Sequence, residues 1–174
     1  MAEKIITIFG TSRVSPEDRA FGLAYEIGML LAQSGFVIAN GGYGGTMLGA
    51  AKGAAQAGGK TIGVTCSAFG RGGANEYVSR EIVTHSLDER LDTLIKLGRG
   101  YVVLPGGTGT LLELAKVWEL KNKGFLAAHK PIILVGGFWK SLVDLIAADD
   151  PDSRKCIRIA AGPRDVRDYL VAGV

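Results

Sequence analysis

The sequence predicts a doubly wound α/β protein built on a parallel sheet, and three observations carry that expectation. Short apolar runs alternate with helical patterns along the whole chain. The runs, such as Ile5–Phe9, Tyr101–Leu104 and Ile132–Val135, are almost continuously apolar, as strands covered on both faces are. Glycine, 26 of 174 residues against a usual share of ~7%, gathers where those runs end.

In chain order, the β-branched run Ile5–Phe9 reads as a strand, Gly10–Pro16 as a loop and Glu17–Ser34 as a helix. The pattern repeats with a strand at Phe36–Ala39, a loop at Asn40–Thr46 and a small-residue helix over Met47–Ala57. A strand follows at Thr61–Thr65, and Cys66–Tyr77 is a glycine-rich segment expected to be mobile. Glu81–Thr84 reads as a short strand and Leu87–Leu97 as an amphipathic helix. The strand Tyr101–Leu104 runs into Pro105–Thr110, from which a helix continues to about Lys123. Ile132–Val135 and its helix Trp139–Ala148 come next, then an edge strand at Ile157–Ala160 and a last helix over Arg164–Leu170.

Composition narrows the function. A length of 174 residues is that of one domain, given roughly 150 residues per domain. Hydrophobic residues at 47% and charged residues at 21%, with mean hydropathy +0.22, exclude disorder. The net charge of +3 is scattered rather than gathered in a block, which argues against a nucleic-acid binder. Cys66 and Cys156 lie 90 residues apart without metal-ligand spacing, so they are expected to be free, buried thiols and no metal is expected. The N-terminus lacks an apolar signal core and no apolar stretch reaches ~18 residues. No membrane association is expected, and the location expected is cytoplasmic.

In a doubly wound sheet, ligands bind beyond the carboxyl ends of the strands, where these glycine loops fall. A loop that opens a helix presents unpaired N–H groups and the positive end of the helix dipole, which suit a phosphate. Gly106, Gly107 and Gly109, with the hydroxyls of Thr108 and Thr110, have that arrangement, and Gly41–Thr46 offers a second copy through Gly42, Gly45 and Thr46. Tight turns alone would also call for glycine. Two better-known fingerprints fail. Met47 and Leu112 stand where a dinucleotide motif needs glycine, and Gly59-Lys60-Thr61 follows a helix and enters a strand, the reverse of a Walker A loop.

Two charged residues lie on apolar faces. Arg90 stands with the stripe Leu87, Leu91, Leu94 and Ile95, while Glu113 shares a face with Val117 and Leu120 and falls in the first turn of its helix, beside the phosphate-type loop. One reading is a structural ion pair, or an acid complementing the helix dipole. The other is a carboxylate and a guanidinium that orient a sugar, activate water or stabilise a cationic transition state.

Pro105-Gly106-Gly107-Thr108-Gly109-Thr110-Leu111-Leu112-Glu113 resembles the PGGxGTxxE motif of the LOG family of cytokinin-activating nucleotide phosphoribohydrolases, often mislabelled lysine decarboxylases. The likeness extends to Gly10-Thr11-Ser12-Arg13, similar to a phosphate-side loop, to Gly41–Ala51, similar to GGGxxGLMGxxA, and to Leu87–Leu91 in the place of MxxRK. Leu91 replaces the lysine of that last motif, and Leu112 the first glutamate of a Glu-Glu pair. The resemblance implies a Rossmann-like nucleotide-binding domain over residues 1–174. It also implies hydrolysis of the N-glycosidic bond of a nucleoside 5′-monophosphate to free base and ribose 5-phosphate, without cofactor. By motif, Gly106–Thr110 would hold the 5′-phosphate with Gly10, Thr11 and Ser12, and Glu113 and Arg90 would be the catalytic pair. The superfamily also holds molybdenum-cofactor carriers, so a binding or carrier role is the alternative.

A homodimer is expected, as in the family, with the nearly all-apolar helix Leu111–Leu120 near the interface. Cys66–Tyr77, with Phe69, Arg71 and Tyr77, is a candidate lid or base pocket, and His85 reads as a residue at a helix start. Decarboxylation of lysine is rejected, because that chemistry needs a pyridoxal-binding lysine and a larger scaffold.

Overall fold

A computed structural model describes residues 3–174. The chain runs β1 (Ile5–Phe9), α1 (Arg19–Gln33), β2 (Val37–Asn40), α2 (Thr46–Gln56), β3 (Thr61–Cys66), β4 (Arg80–Thr84), α3 (Leu87–Leu97), β5 (Gly100–Val103), α4 (Thr108–Asn122), β6 (Ile132–Val135), α5 (Lys140–Asp149), β7 (Ile157–Ala160) and α6 (Pro163–Gly173). Two 3₁₀ turns, Ser67–Phe69 and Pro151–Cys156, complete it. The strands form one seven-stranded sheet in the order β4-β3-β2-β1-β5-β6-β7, parallel throughout. This is the doubly wound, Rossmann-like fold that the apolar runs predict. The winding reverses between β1 and β5, so the loops leaving those two strands part and open a crevice there.

Side chains alternate across the sheet. Ile5, Phe9, Tyr101 and Val103 pack with α3 and α4 on one face, whereas Ile6, Ile8, Val102 and Leu104 pack with α1, α2 and α6 on the other. Two polar groups buried under α3 hold that helix to the sheet. Thr7 Oγ1 donates to Leu94 O at 2.9 Å and the Tyr101 hydroxyl to Ile95 O at 2.7 Å. Burial raises the Tyr101 pKa, so the phenol stays protonated and keeps donating.

Several boundaries differ from the sequence expectations. Asp18 closes a turn on Ser15, accepting from its backbone N–H at 2.7 Å, so α1 starts at Arg19 rather than Glu17. Helix α4 starts at Thr108, before Thr110, which moves Glu113 from the first turn to the second. Pro163 sits at the head of α6, a position where its missing N–H costs nothing, and the helix runs on to Gly173 rather than stopping at Leu170. Leu87 does not join the buried stripe of α3 but is 45% exposed. Cys66 is buried, whereas Cys156 is only half-buried.

Helices α1 and α2 touch backbone to backbone through small residues. A Cβ on Gly28 would lie 2.1 Å from Ala50 O, and one on Gly53 would lie 2.0 Å from Tyr25 O. Gly22, in the same helix as Gly28, has no neighbour within 4 Å of its Cβ position. The two positions therefore respond oppositely to one change. Gly22→Ala should gain up to about 1 kcal/mol from helix propensity. Gly28→Ala should lose about 1–3 kcal/mol as the helices are forced apart. Thermal melts of the two variants check this, and equal shifts would contradict the close approach.

Candidate functional site

The crevice at the reversal of winding is an open cleft of roughly 580 Å³, within the range of small-molecule sites. The Gly10–Arg13 segment after β1 and the Gly107–Thr110 segment opening α4 both border it. Inside α4 the first internal bond runs from Leu111 N to Gly107 O. The N–H groups of Thr108, Gly109 and Thr110 therefore have no partner four residues back in the helix and form its positive end.

The glycines here are glycine for different reasons. A Cβ on Gly106 would lie 2.1 Å from Thr110 Oγ1, and one on Gly10 would lie 2.2 Å from Thr46 Oγ1. Packing alone requires both. Gly107 and Gly109 have no atom within 4 Å of a Cβ position and no left-handed φ, and both are exposed. Gly109 weakens the first turn of α4 by about 1 kcal/mol relative to alanine. Nothing within the fold calls for glycine at these two places; close approach of a ligand to the backbone would.

The second glycine loop is placed differently from the expectation. Gly42, Gly45 and Thr46 do not line the cleft, and neither does Gly106. Thr46 donates to Thr11 O both from its N–H at 2.9 Å and from its hydroxyl at 3.1 Å. Gly45, with φ of 63°, leaves no room for a Cβ, which would lie 2.2 Å from Thr11 O. The contacts of Gly45 and Thr46 make this loop a support for the Gly10–Arg13 loop. Gly10, Thr11 and Ser12 do reach the cleft, and Tyr43 and Met47 reach it from the supporting loop.

Arg90 and Glu113 come together, with Arg90 Nη1 at 3.6 Å from Glu113 Oε1. The start of α3 is set by a cap in which Ser86 Oγ accepts from Glu89 N at 3.1 Å and Glu89 Oε2 accepts from His85 N at 2.8 Å. One turn on, Arg90 is 7% exposed. Its Nε donates to Val64 O at 2.8 Å and its Nη2 to Gly41 O at 3.2 Å. A Cβ at Gly41 would fall 1.9 Å from Nη2, so glycine there admits the guanidinium. Tyr43 and Phe69 flank it, with ring centroids 5.7 and 5.5 Å from Cζ. On the solvent side Lys116 and Asp92 pair across α3 and α4 at 2.6 Å, and Lys116 holds the Asp92 carboxyl below its usual range.

Burial pushes the Glu113 carboxyl up to about 7, with the Arg90 charge pulling the other way. Such an acid exchanges its proton near neutral pH. Among the described residues it is the one carboxylate bordering the cleft, against Arg13, Arg71 and Arg90, so the cavity favours an anion. Leu112, 41% exposed, and Leu87 add apolar surface to it. Leu91 is almost wholly buried in the core under α3. Among the described residues, no three His, Cys, Asp or Glu side chains gather into a metal-binding group, and no helix is long and apolar enough to cross a membrane.

The segment after β3 is more tightly held than its glycines suggest. Asn75 Nδ2 donates to Gly42 O at 3.0 Å and Tyr43 O at 2.9 Å, and Tyr43 exchanges hydrogen bonds with the backbone of Cys66 through its hydroxyl. Phe69 and Arg71 border the cleft. Tyr77 does not, its ring facing Lys52 of α2 instead.

The sequence matches the SLOG cluster4 family over residues 3–165. It is 37% identical over 116 residues to a Mycobacterium tuberculosis protein named cytokinin riboside 5′-monophosphate phosphoribohydrolase, an overlap of 65% of this chain and 60% of that one. The chain thus spans about three fifths of the length of that relative. Among solved structures it resembles the molybdenum cofactor binding protein of the phototrophic bacterium Rippkaea orientalis, at TM-score 0.80 and 27% identity over 99% of this chain and 98% of the other. The molybdenum cofactor carrier protein of Chlamydomonas reinhardtii superposes at TM-score 0.78 and 25% identity, again over 99% and 98%. A match over nearly the whole chain settles kinship: the protein belongs to the SLOG cluster4 family.

Proposed function

We propose that residues 1–174 act as one nucleotide-binding domain that hydrolyses the N-glycosidic bond of a nucleoside 5′-monophosphate, giving free base and ribose 5-phosphate. The observation that carries this reading is the largely desolvated Glu113, held at 3.6 Å from Arg90 and raised to about 7, in the same cleft as the exposed helix start at Gly107–Gly109. The N–H groups of that start receive the 5′-phosphate, with Gly10, Thr11 and Ser12 opposite. As the bond from C1′ to the base nitrogen lengthens, the ribose gains oxocarbenium character. The Glu113 carboxylate stabilises that charge and takes a proton from the attacking water, the departing base nitrogen takes up a proton from solvent, and Glu113 returns its proton to solvent after the products leave. Arg90 holds Glu113 in place and keeps part of its population ionised.

One finding favours the alternative of a non-catalytic carrier. The molybdenum-cofactor proteins match this chain over 98% of their length, whereas the phosphoribohydrolase relative is covered over 60%. A panel of nucleoside monophosphates assayed for released base separates the two. Hydrolysis predicts turnover that falls at least ~100-fold in Glu113→Gln, with phosphate affinity kept. Tight binding without release of any base would establish the carrier.

The acid limb of the kcat/KM profile follows from the sign of the Glu113 shift. The carboxylate is the working form, so activity should rise with pH through about 7. In Arg90→Met the attraction that lowers this pKa is lost, and the limb should move to higher pH along with the fall in rate. A limb that stays in place would separate Arg90 from Glu113. The reading also includes a homodimer that covers Leu111, 37% exposed on α4. Light scattering at working concentration should give twice 18.3 kDa, and a monomeric mass would contradict it.

A further inference from the structure

Phe69 is 40% exposed, although it belongs to a turn held at several points. Ser67 Oγ donates to Thr84 O at 3.3 Å and lies 3.2 Å from His85 Nδ1. Gly70, at φ of 60°, then reverses the chain, and Arg71 returns to within 5.2 Å of the Tyr43 ring. Tyr43 itself is fixed by the Cys66 backbone and stands 6.2 Å from Phe69, centroid to centroid. Arg90 covers part of the Phe69 ring at 5.5 Å. The rest of the ring is open in the cleft that the Gly107–Thr110 segment also borders. The open part of the ring therefore faces the cleft, where a flat ligand would cover it and gain by burying apolar surface on both sides.

We propose that Phe69 is the platform on which the planar heterocycle of the ligand stacks, and that it sets specificity for that part of the molecule. The proposal rests on the reading of the cleft as a site for a phosphorylated ligand, and it applies equally to a nucleobase or a pterin, since either offers a flat π-face. The phosphate end is gripped by backbone N–H groups, which sense charge and not the ring. The ring is sensed by Phe69, whose contact with Arg90 brings a bound heterocycle next to the pair that faces the sugar.

The test compares binding of AMP, of a pterin monophosphate and of ribose 5-phosphate, which has no ring system to stack. Calorimetry is run in the Glu113→Gln background so that the probe survives, with Phe69 intact, Phe69→Ala and Phe69→Trp. Stacking on an aromatic contributes about 1–3 kcal/mol. The expected result is therefore a loss of roughly tenfold or more in Phe69→Ala for at least one heterocyclic probe, recovery in Phe69→Trp, and ribose 5-phosphate affinity unchanged within twofold. The ribose 5-phosphate measurement also reports that the variant is folded.

The proposal is overturned if both heterocyclic probes bind no tighter than ribose 5-phosphate, if Phe69→Ala leaves them unaffected, or if all three ligands weaken together. Turnover of AMP by the unsubstituted protein is read separately. Phe69-dependent binding without cleavage would remove the hydrolysis and keep the platform. Cleavage with Phe69-independent binding would do the reverse.

Discussion

The site turns on one contact, the 3.6 Å approach of Arg90 to Glu113 in a largely dehydrated place. A close, bidentate arginine–carboxylate pair would pull the acid well below 4. Here a single nitrogen approaches at long range, while the other nitrogens of the fork are engaged by the carbonyls of Val64 and Gly41. Desolvation therefore outweighs attraction, and the carboxyl rises to about 7. An ion pair built for stability would spend the whole fork on its partner. This one gives the guanidinium to the sheet and the loop, and leaves the acid able to exchange a proton.

That arrangement has a thermodynamic sign. The Glu113 pKa is higher in the folded chain than in the unfolded one, about 7 against 4.5. Its contribution to stability is fully present below about pH 4.5 and is lost as pH rises through 7. At neutral pH and above the site works against the fold, and the neighbouring contacts must hold it. Thr7 and Tyr101 fasten α3 through its C-terminal carbonyls, and Asp92–Lys116 joins α3 to α4 near the pair. The backbone-close packing of α1 on α2 keeps the loops after β1 and β2 in register, so that Thr46 can support Thr11.

What could be read from the sequence was what is local. The strands β1, β6 and β7 and the helix α3 have the bounds their residue patterns predict, α3 from the spacing of Leu91, Leu94 and Ile95. The start of α4 was not legible, since Thr108 and Gly109 have loop chemistry yet take helical geometry under the pull of the turn that follows. Arg90 and Glu113 could be singled out because each carries charge on an apolar face, but their meeting depends on two helices crossing the sheet side by side. Tyr43 and Met47 gave no signal of their own: they border the cleft from the loop and helix start after β2, with Tyr43 held there by the backbone of Cys66, a residue far along the chain. Gly42, Gly45 and Thr46 share the composition of the Gly107–Thr110 segment yet lie outside the cleft, Gly45 and Thr46 being packed against Thr11.

Hydrolysis and carriage ask the same things of the phosphate end of the cleft and differ over the acid. A carrier for an anion gains from Arg13, Arg71 and the open helix start, and loses from a carboxylate set among them, because the carboxylate repels the ligand whenever it is ionised and weakens the fold above neutrality. Leucine, which carries no charge and suits a helix equally well, stands beside it at 112. Glu113 instead carries an acid to the place that Arg90 reaches. A carboxyl raised to about 7 at this place suits the proposed hydrolysis, in which positive charge builds on the sugar, better than it suits the carriage of an anion, which its ionised form repels.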